Sequence, residues 1–464
     1  MSVSEFFSFS KQAADGSQKQ RDSSVSANQR GLRNLNIDIT LKINFMNPTI
    51  KRVSIALLVS AMLFGCNKSD NDIELKNLPE PIKIELRATA EKELLKSDQQ
   101  FAFEFFSNVF DEEARGKDKS FMVSPFSLSM ALAMTWNGAA GETGTAMRET
   151  LKMGDWKDEE INGYYKKLKE ALLKTDPSTQ LSIANAIFTN KFVTIKPGFI
   201  KTNTDYYDAT VQPVDFSLPV TKDIINQWAA DNTNNLIKEV IDKTNAYDLM
   251  YLLNAIYFKG SWTTKFDAKN TSKKPFTTEN GTKQTVDMMC QTTKFNYTED
   301  ETMQVIQLPY GNQAFSMLVL LPKSNKKQAD VVSALQNKEY WGEIRAALHE
   351  YEVELYLPKF KTKYSKKLNE VLTNMGMGLA FSDAADFSRM SAFPARIAFV
   401  KQDTYISTDE QGTEAAAVTT VGMELTSMPA IPQKVVFNAD KPFIYLIQEN
   451  STGAVLFMGA VKDI

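Results

Sequence analysis

The first stretch of the chain to commit to a period follows Pro79-Glu-Pro81, where Phe101, Phe105 and Val109 recur at helical spacing and predict a packed helix. Further on, short apolar runs over residues 181–188, 252–258, 316–321, 353–357 and 454–458 predict buried strands. Helical patterns dominate the first half and strand patterns the second, without a regular βαβ rhythm, so the expected fold class is α+β with mixed sheets. Ala184-Asn-Ala-Ile-Phe188 and Asn254-Ala-Ile-Tyr-Phe258 echo each other, but two copies are no repeat array. The stretch 345–350 reads as an amphipathic helix with His349 on its surface. Lys166, Lys167, Lys169 and Lys174, with Glu170 among them, read as the solvated face of another helix.

A different pattern marks the N-terminus. Lys51 and Arg52 precede an apolar run from Val53 to Phe64, too short to span a bilayer and typical of a cleaved signal. The run ends in Leu63-Phe-Gly-Cys66, which looks like a bacterial lipobox, so Cys66 is expected to carry lipid. Residues 1–45 are polar and would place this signal internally, which makes Met46 the better start and leaves 1–45 untranslated or disordered. The expected organisation is a signal peptide over 46–65, a flexible linker over 66–90 and one folded domain over 91–464. The linker opens with the acidic, polar Asn67-Lys-Ser-Asp-Asn-Asp72. A lipid anchor implies a bacterial cell envelope, with cell surface, periplasm and release to the outside all open.

Composition narrows the chemistry. The 464 residues are 43% hydrophobic and 23% charged, an ordinary globular balance, and the net charge of −3 offers no basic footprint for nucleic acid. The one histidine, His349, rules out zinc sites built on several imidazoles and leaves a hydrolytic triad a single route. No P-loop, GxGxxG, GxSxG or CxxC signature is present. No metal or cofactor is expected. With Cys66 lipidated, Cys290 has no partner, and a domain of this length can stand on its core without disulfides.

Several motifs occur in one order: Phe121-Met-Val-Ser-Pro-Phe-Ser-Leu, Leu253-Asn-Ala-Ile-Tyr-Phe-Lys-Gly-Ser-Trp262, Leu308-Pro-Tyr310, Leu355-Tyr-Leu-Pro-Lys-Phe360, Ala385-Asp-Phe-Ser388, Glu410-Gln-Gly-Thr-Glu-Ala-Ala-Ala417, Asp440-Lys-Pro-Phe443 and Leu456-Phe-Met-Gly459. From about residue 95 to the C-terminus the chain resembles the serpin family. The resemblance implies helices packed on a large mixed central sheet, with smaller sheets and an exposed reactive loop. It also implies an irreversible protease inhibitor and no enzyme. The target protease cuts the loop and is held as a covalent acyl-enzyme while the loop inserts into the sheet. A monomer is expected. Ser124, Ser127, Asn254 and Gln402 match the polar cluster that gates sheet opening, with glutamine where family members usually carry histidine. Trp262 matches the position where the loop first inserts.

Insertion makes a demand that the loop can be tested against, because alternate residues of a strand point to opposite faces. On the parity of Thr413 lie Ala415, Ala417, Thr419 and Val421, small or β-branched and uncharged. The opposite parity holds Glu414, Ala416, Val418 and Thr420. No proline interrupts residues 412–422, and Gly412 supplies backbone freedom at the turn. The hinge is therefore read as Glu410, Gly412, Thr413, Ala415, Ala416, Ala417 and Thr419. Counting along the loop puts the bait bond at Thr426–Ser427, with Leu425–Thr426 as the alternative. With Met423, Leu425 and Thr426 nearby and no Lys or Arg, the expected targets are serine proteases, with cysteine proteases second, of elastase-like, subtilisin-like or papain-like preference. The alternative is a non-inhibitory binding lipoprotein on the same fold.

Overall fold

In the computed structural model, which describes residues 78–114, 119–413 and 434–464, the aromatic run opening the domain is helix α1 (Thr89–Ala114). Phe101, Phe105 and Val109 are fully buried, and Phe103, Phe106 and Phe110 are buried beside them, so α1 is wrapped on more than one side. Strand β1 (Phe121–Val123) leads into α2 (Pro125–Trp136), which starts at Ser124-Pro125 for a local reason. The Ser124 hydroxyl caps the helix by accepting the Ser127 N–H at 3.3 Å, and proline suits the first helical position. Helices α3 (Gly141–Thr150), α4 (Asp158–Leu172), α5 (Pro197–Tyr207) and α6 (Val220–Asn232) follow, and α7 (Gln328–Ala334) and α8 (Tyr340–Ala346) come later.

All five predicted strand runs are strands. A six-stranded sheet runs in the order β10 (Phe360–Lys367), β11 (Lys401–Asp409), β12 (Gly412–Thr413), β4 (Met250–Ser261), β2 (Gln180–Asn190), β3 (Thr210–Val214). A nine-stranded sheet runs β1, β15 (Val455–Val461), β14 (Phe443–Glu449), β8 (Phe315–Pro322), β7 (Met303–Tyr310), β6 (Lys283–Glu299), β9 (His349–Pro358), β13 (Val435–Asn438), with β5 (Ser272–Thr277) paired to β6. One hydrophobic core spans both sheets, and a smaller cluster holds α6 against the six-stranded sheet through Phe188, Phe216 and Ile225.

Three local readings give way to the tertiary structure. His349 is not on a helix: α8 ends at Ala346, and His349 opens β9 opposite Tyr297, exposed. The alternation of Val353, Leu355 and Leu357 and ten paired registers with β6 outweigh a short helical pattern. Lys169 is not solvated. It lies one turn beyond Tyr165 on the packed face of α4, and its ammonium bonds the Tyr207 carbonyl at 3.0 Å and Asp208 at 2.8 Å. The linker expected over 66–90 is docked at its end: Ile82 exchanges bonds with Thr175, and the Ile84 N–H meets Ser451 Oγ at 3.0 Å.

Candidate functional site

Strands β4 and β11 run parallel, and only two residues of β12 lie hydrogen-bonded between them. Gly412 faces Asp409 on one side and Ser261 on the other, and Thr413 faces Thr408 and Gly260. Gly412 has φ of +152°, and a Cβ there would come within 2.1 Å of the Gly260 carbonyl oxygen, so no other residue fits. Thr413 is 3% exposed, and its hydroxyl lies 2.6 Å from the Tyr310 hydroxyl in the core. That contact turns the Thr413 side chain inward.

Below Thr413, among the described residues, no backbone bond joins β4 to β11. In place of a strand there is a cavity of about 570 Å³, walled by Leu252, Ile256, Gln402 and Thr404, floored by Leu128 and Leu132 of α2 and roofed by Trp228 of α6. The predicted polar cluster sits along it. Gln402 clasps Ser124 twice, its oxygen accepting the Ser124 N–H at 2.9 Å and its amide donating to the Ser124 carbonyl at 2.8 Å. On the other wall Asn254 accepts from the Ser127 hydroxyl. The Ser124 hydroxyl donates to the Leu456 carbonyl at 2.7 Å. Each strand is thus tied to the first turn of α2 rather than to the other, which keeps the slot open between them.

The network reaches further than these four residues. Asn254 donates to Asn185 at 2.6 Å, its direct cross-strand partner, and Asn185 donates to the Tyr207 carbonyl at 2.7 Å. Asn185 was readable: it is the asparagine of the Ala184–Phe188 echo, and the structure pairs it with Asn254, the asparagine of the other echo, across β2 and β4.

At the upper end of the slot, Trp262 stacks on Tyr310 with ring centroids 4.5 Å apart. Its N–H groups tie down the approach to the hinge, the indole donating to Asp409 O at 2.9 Å and the backbone to Gln411 O at 2.8 Å. Glu410 is buried, with Lys359 at 2.9 Å and the Thr271 hydroxyl at 2.8 Å. Burial works against its charge, but the Lys359 ammonium, a backbone N–H and Thr271 outweigh it and hold the carboxyl below its ordinary value. Tyr310 and Lys359 have no local signal as hinge partners; both meet it only through long-range pairing. Of the remaining predicted residues, Ala415, Ala416, Ala417, Thr419, Leu425, Thr426, Ser427 and Cys66 lie outside the described residues.

The family model described as "Serpin (serine protease inhibitor)" matches residues 96–464. The leukocyte elastase inhibitor of Xenopus laevis is 34% identical over 77% of this chain and 96% of its own. The native crystal structure of tengpin, a thermophilic serpin, superposes with a TM-score of 0.73 at 29% identity, covering 84% of this chain and 98% of tengpin. Human thyroxine-binding globulin in complex with its hormone superposes with a TM-score of 0.72 at 28% identity, over 81% of this chain and 99% of its own. Two-sheet architecture, a slot between β4 and β11, a hinge seated at its upper end and these likenesses lead to one conclusion: the chain belongs to the serpin family.

Proposed function

We propose that this chain is an irreversible inhibitor of serine proteases, and of cysteine proteases as a second class, that traps its target by cleavage and insertion of the loop after Thr413. The observation that carries the reading is the seated hinge above an unfilled slot. Continuing its register sets Ala415 between Phe258 and Ile406, Ala417 between Ile256 and Thr404, and Thr419 between Asn254 and Gln402. Each residue that would enter the core is small or β-branched, and the one threonine at the latch brings a hydroxyl to two amides.

The protease nucleophile adds to the bait carbonyl, at Thr426 in the preferred register. The C–N bond to Ser427 breaks, the new amine takes the proton, and Thr426 remains esterified to the enzyme. Insertion must then outrun hydrolysis of that ester. This chain supplies the bait and the slot, and no catalytic group. Leu425 and Thr426 suit proteases that accept small or apolar side chains, and the Xenopus relative's name points the same way. Mixing with an elastase-like protease should give a covalent complex that survives boiling in detergent, and mass spectrometry of the released fragment would identify the bond. A panel of such proteases returning only cleaved chain and free enzyme would sink the reading.

We also propose that Cys66 is lipidated and tethers a monomer to a bacterial envelope; Cys66→Ser should then abolish incorporation of labelled fatty acid and free the protein from the membrane fraction. A carrier protein is the second reading, favoured by the 570 Å³ cavity and by the hormone-bound relative. It predicts little gain in melting temperature after the loop is nicked, where an inhibitor gains markedly.

A further inference from the structure

Lys169 bonds a group that is already satisfied. It lies on α4, 5% exposed, and its ammonium donates to the Tyr207 carbonyl at 3.0 Å. That carbonyl belongs to the last residue of α5, where a helix leaves its acceptors over, and the Asn185 amide reaches it at 2.7 Å. Capping α5 therefore needs no second donor. Withdrawing an ammonium from water is costly, and its carboxylate partner Asp208, with a side chain 61% exposed, is itself solvated and offsets little of that cost. An apolar side chain of the same length would carry no such penalty.

What the ammonium meets is the fixed end of a chain of side chains that runs in one direction. A carbonyl only accepts, so at Tyr207 the Asn185 side chain must present its NH2 group. Its oxygen is left for the Asn254 amide at 2.6 Å, and the Asn254 oxygen for the Ser127 hydroxyl on α2. Turning Asn185 over would set two oxygens together at Tyr207 and two NH2 groups together at Asn254. Asn185 is 2% exposed, so solvent cannot repair a reversed link. Helix α4 grips Tyr207 at its other end as well. The Tyr207 hydroxyl donates to Asn162 at 2.7 Å, and Asn162 exchanges bonds of 2.9 and 3.0 Å with Asn137, the C-terminal cap of α2. Asn162 and Lys169 stand seven residues apart and so share one face of α4.

We propose that Lys169 is a positioning residue for the gate: by pinning the Tyr207 carbonyl to α4 it keeps Asn185 and Asn254 in the one orientation that ties β4 to the first turn of α2. The role rests on the inhibitory reading and adds to it a residue, remote from the slot, that governs when the sheet opens. Without the ammonium the end of α5 can draw back from β2. Asn185 then loses the acceptor that orients it, and the Asn254 oxygen is no longer held toward Ser127. The clasp of Gln402 on Ser124 is separate from this chain, so only the β4 wall of the slot loosens.

The test is the rate at which the uncleaved chain, warmed to just below its melting temperature, converts to a form that resists unfolding in urea. Lys169→Met, which keeps the stem and removes the ammonium, should convert about tenfold faster than the parent. In a chain already carrying Asn254→Ala the link to α2 is gone, and there Lys169→Met should change the rate by less than about twofold. Lys167→Met breaks the 2.7 Å pair with Glu91 on the same helix without touching the chain of amides, and should convert at the parent's rate. Conversion of Lys169→Met at the parent's rate would overturn the proposal. So would equal acceleration with and without Asn254→Ala, or equal acceleration by Lys167→Met, since either makes Lys169 a prop for α4 and nothing more. If Lys169→Met does not fold, Lys169→Gln, which keeps a neutral N–H for the carbonyl, goes through the same two backgrounds and should show about a threefold acceleration in the first alone. A parent that gains no urea resistance even after its loop is cut defeats the inhibitory reading and this role with it. A parent that gains it, with Lys169 variants converting no faster, defeats the role of Lys169 alone.

Discussion

Thr413→Arg puts a guanidinium where a 3%-exposed hydroxyl now meets Tyr310. No carboxylate is free to receive it: Glu410 is engaged by Lys359 and Thr271, and Asp409 accepts the Gln411 N–H at 2.8 Å. In the uncleaved protein the two residues of β12 can swing outward, so the native fold should survive. After cleavage, insertion must bury the charge without a partner, at a cost of about 4 kcal/mol. If half of that is felt in the insertion barrier, the step slows roughly thirtyfold; if all of it, roughly a thousandfold. Hydrolysis of the ester is untouched, so the race turns and the inhibitor becomes a substrate. The assay is the yield of detergent-resistant complex at equal concentrations of chain and protease, alongside recovered protease activity. Glu414→Arg is the matched control, since the alternation of a strand would turn residue 414 to the face opposite Thr413 on insertion, and it should trap normally. A Thr413→Arg chain that traps as well as its parent, or two variants that fail equally, would refute the parity argument.

Other expectations follow from single contacts. Lys359→Ala leaves the Glu410 carboxylate unpaired at the upper end of the slot and should lower the native melting temperature while speeding conversion to a loop-inserted form. Because the Glu410 carboxyl is held below its ordinary 4.5, its stabilisation is present above that pH and lost as pH falls through the lowered value; the gap between parent and variant should close in acid. Asp98 runs the other way: desolvation beneath the packed tyrosines pushes it up to about 6 despite hydrogen bonds from Tyr164 and Tyr165, so its ionised form burdens the fold by about 3 kcal/mol. Parent stability should therefore rise as pH drops from 7.5 toward 4, a component that Asp98→Asn should abolish in melting curves across that range. Asn254→Ala orphans Ser127 and Asn185 and should cost about 1–3 kcal/mol in the native state, read by denaturant unfolding.

Much of the hinge was legible because strand geometry is local. The inward parity of Thr413 follows from period two alone, and its burial against Tyr310 agrees with it. Gly412 was readable as a turn residue, but the close carbonyl that makes it irreplaceable comes from Gly260, far away in sequence. Ser124, Ser127, Asn254 and Gln402 were located by resemblance, yet the wiring was not. Gln402 and Asn254 each hold α2 instead of each other, a fact of where two distant strands pass one helix end. Lys169 and His349 were misread for the same reason in reverse, because helical spacing shows which residues share a face but not what that face will meet.

The amino-acid sequence by itself determined the family and the buried strand runs, since these rest on ordered motifs, short-range periodicity and residue types that hold wherever the segment lies. Only the tertiary structure decided that β4 and β11 stand apart with a two-residue wedge between them. An unpaired gap between parallel strands is a balance of contacts made at long sequence separation, and no local preference encodes a place where a strand is missing.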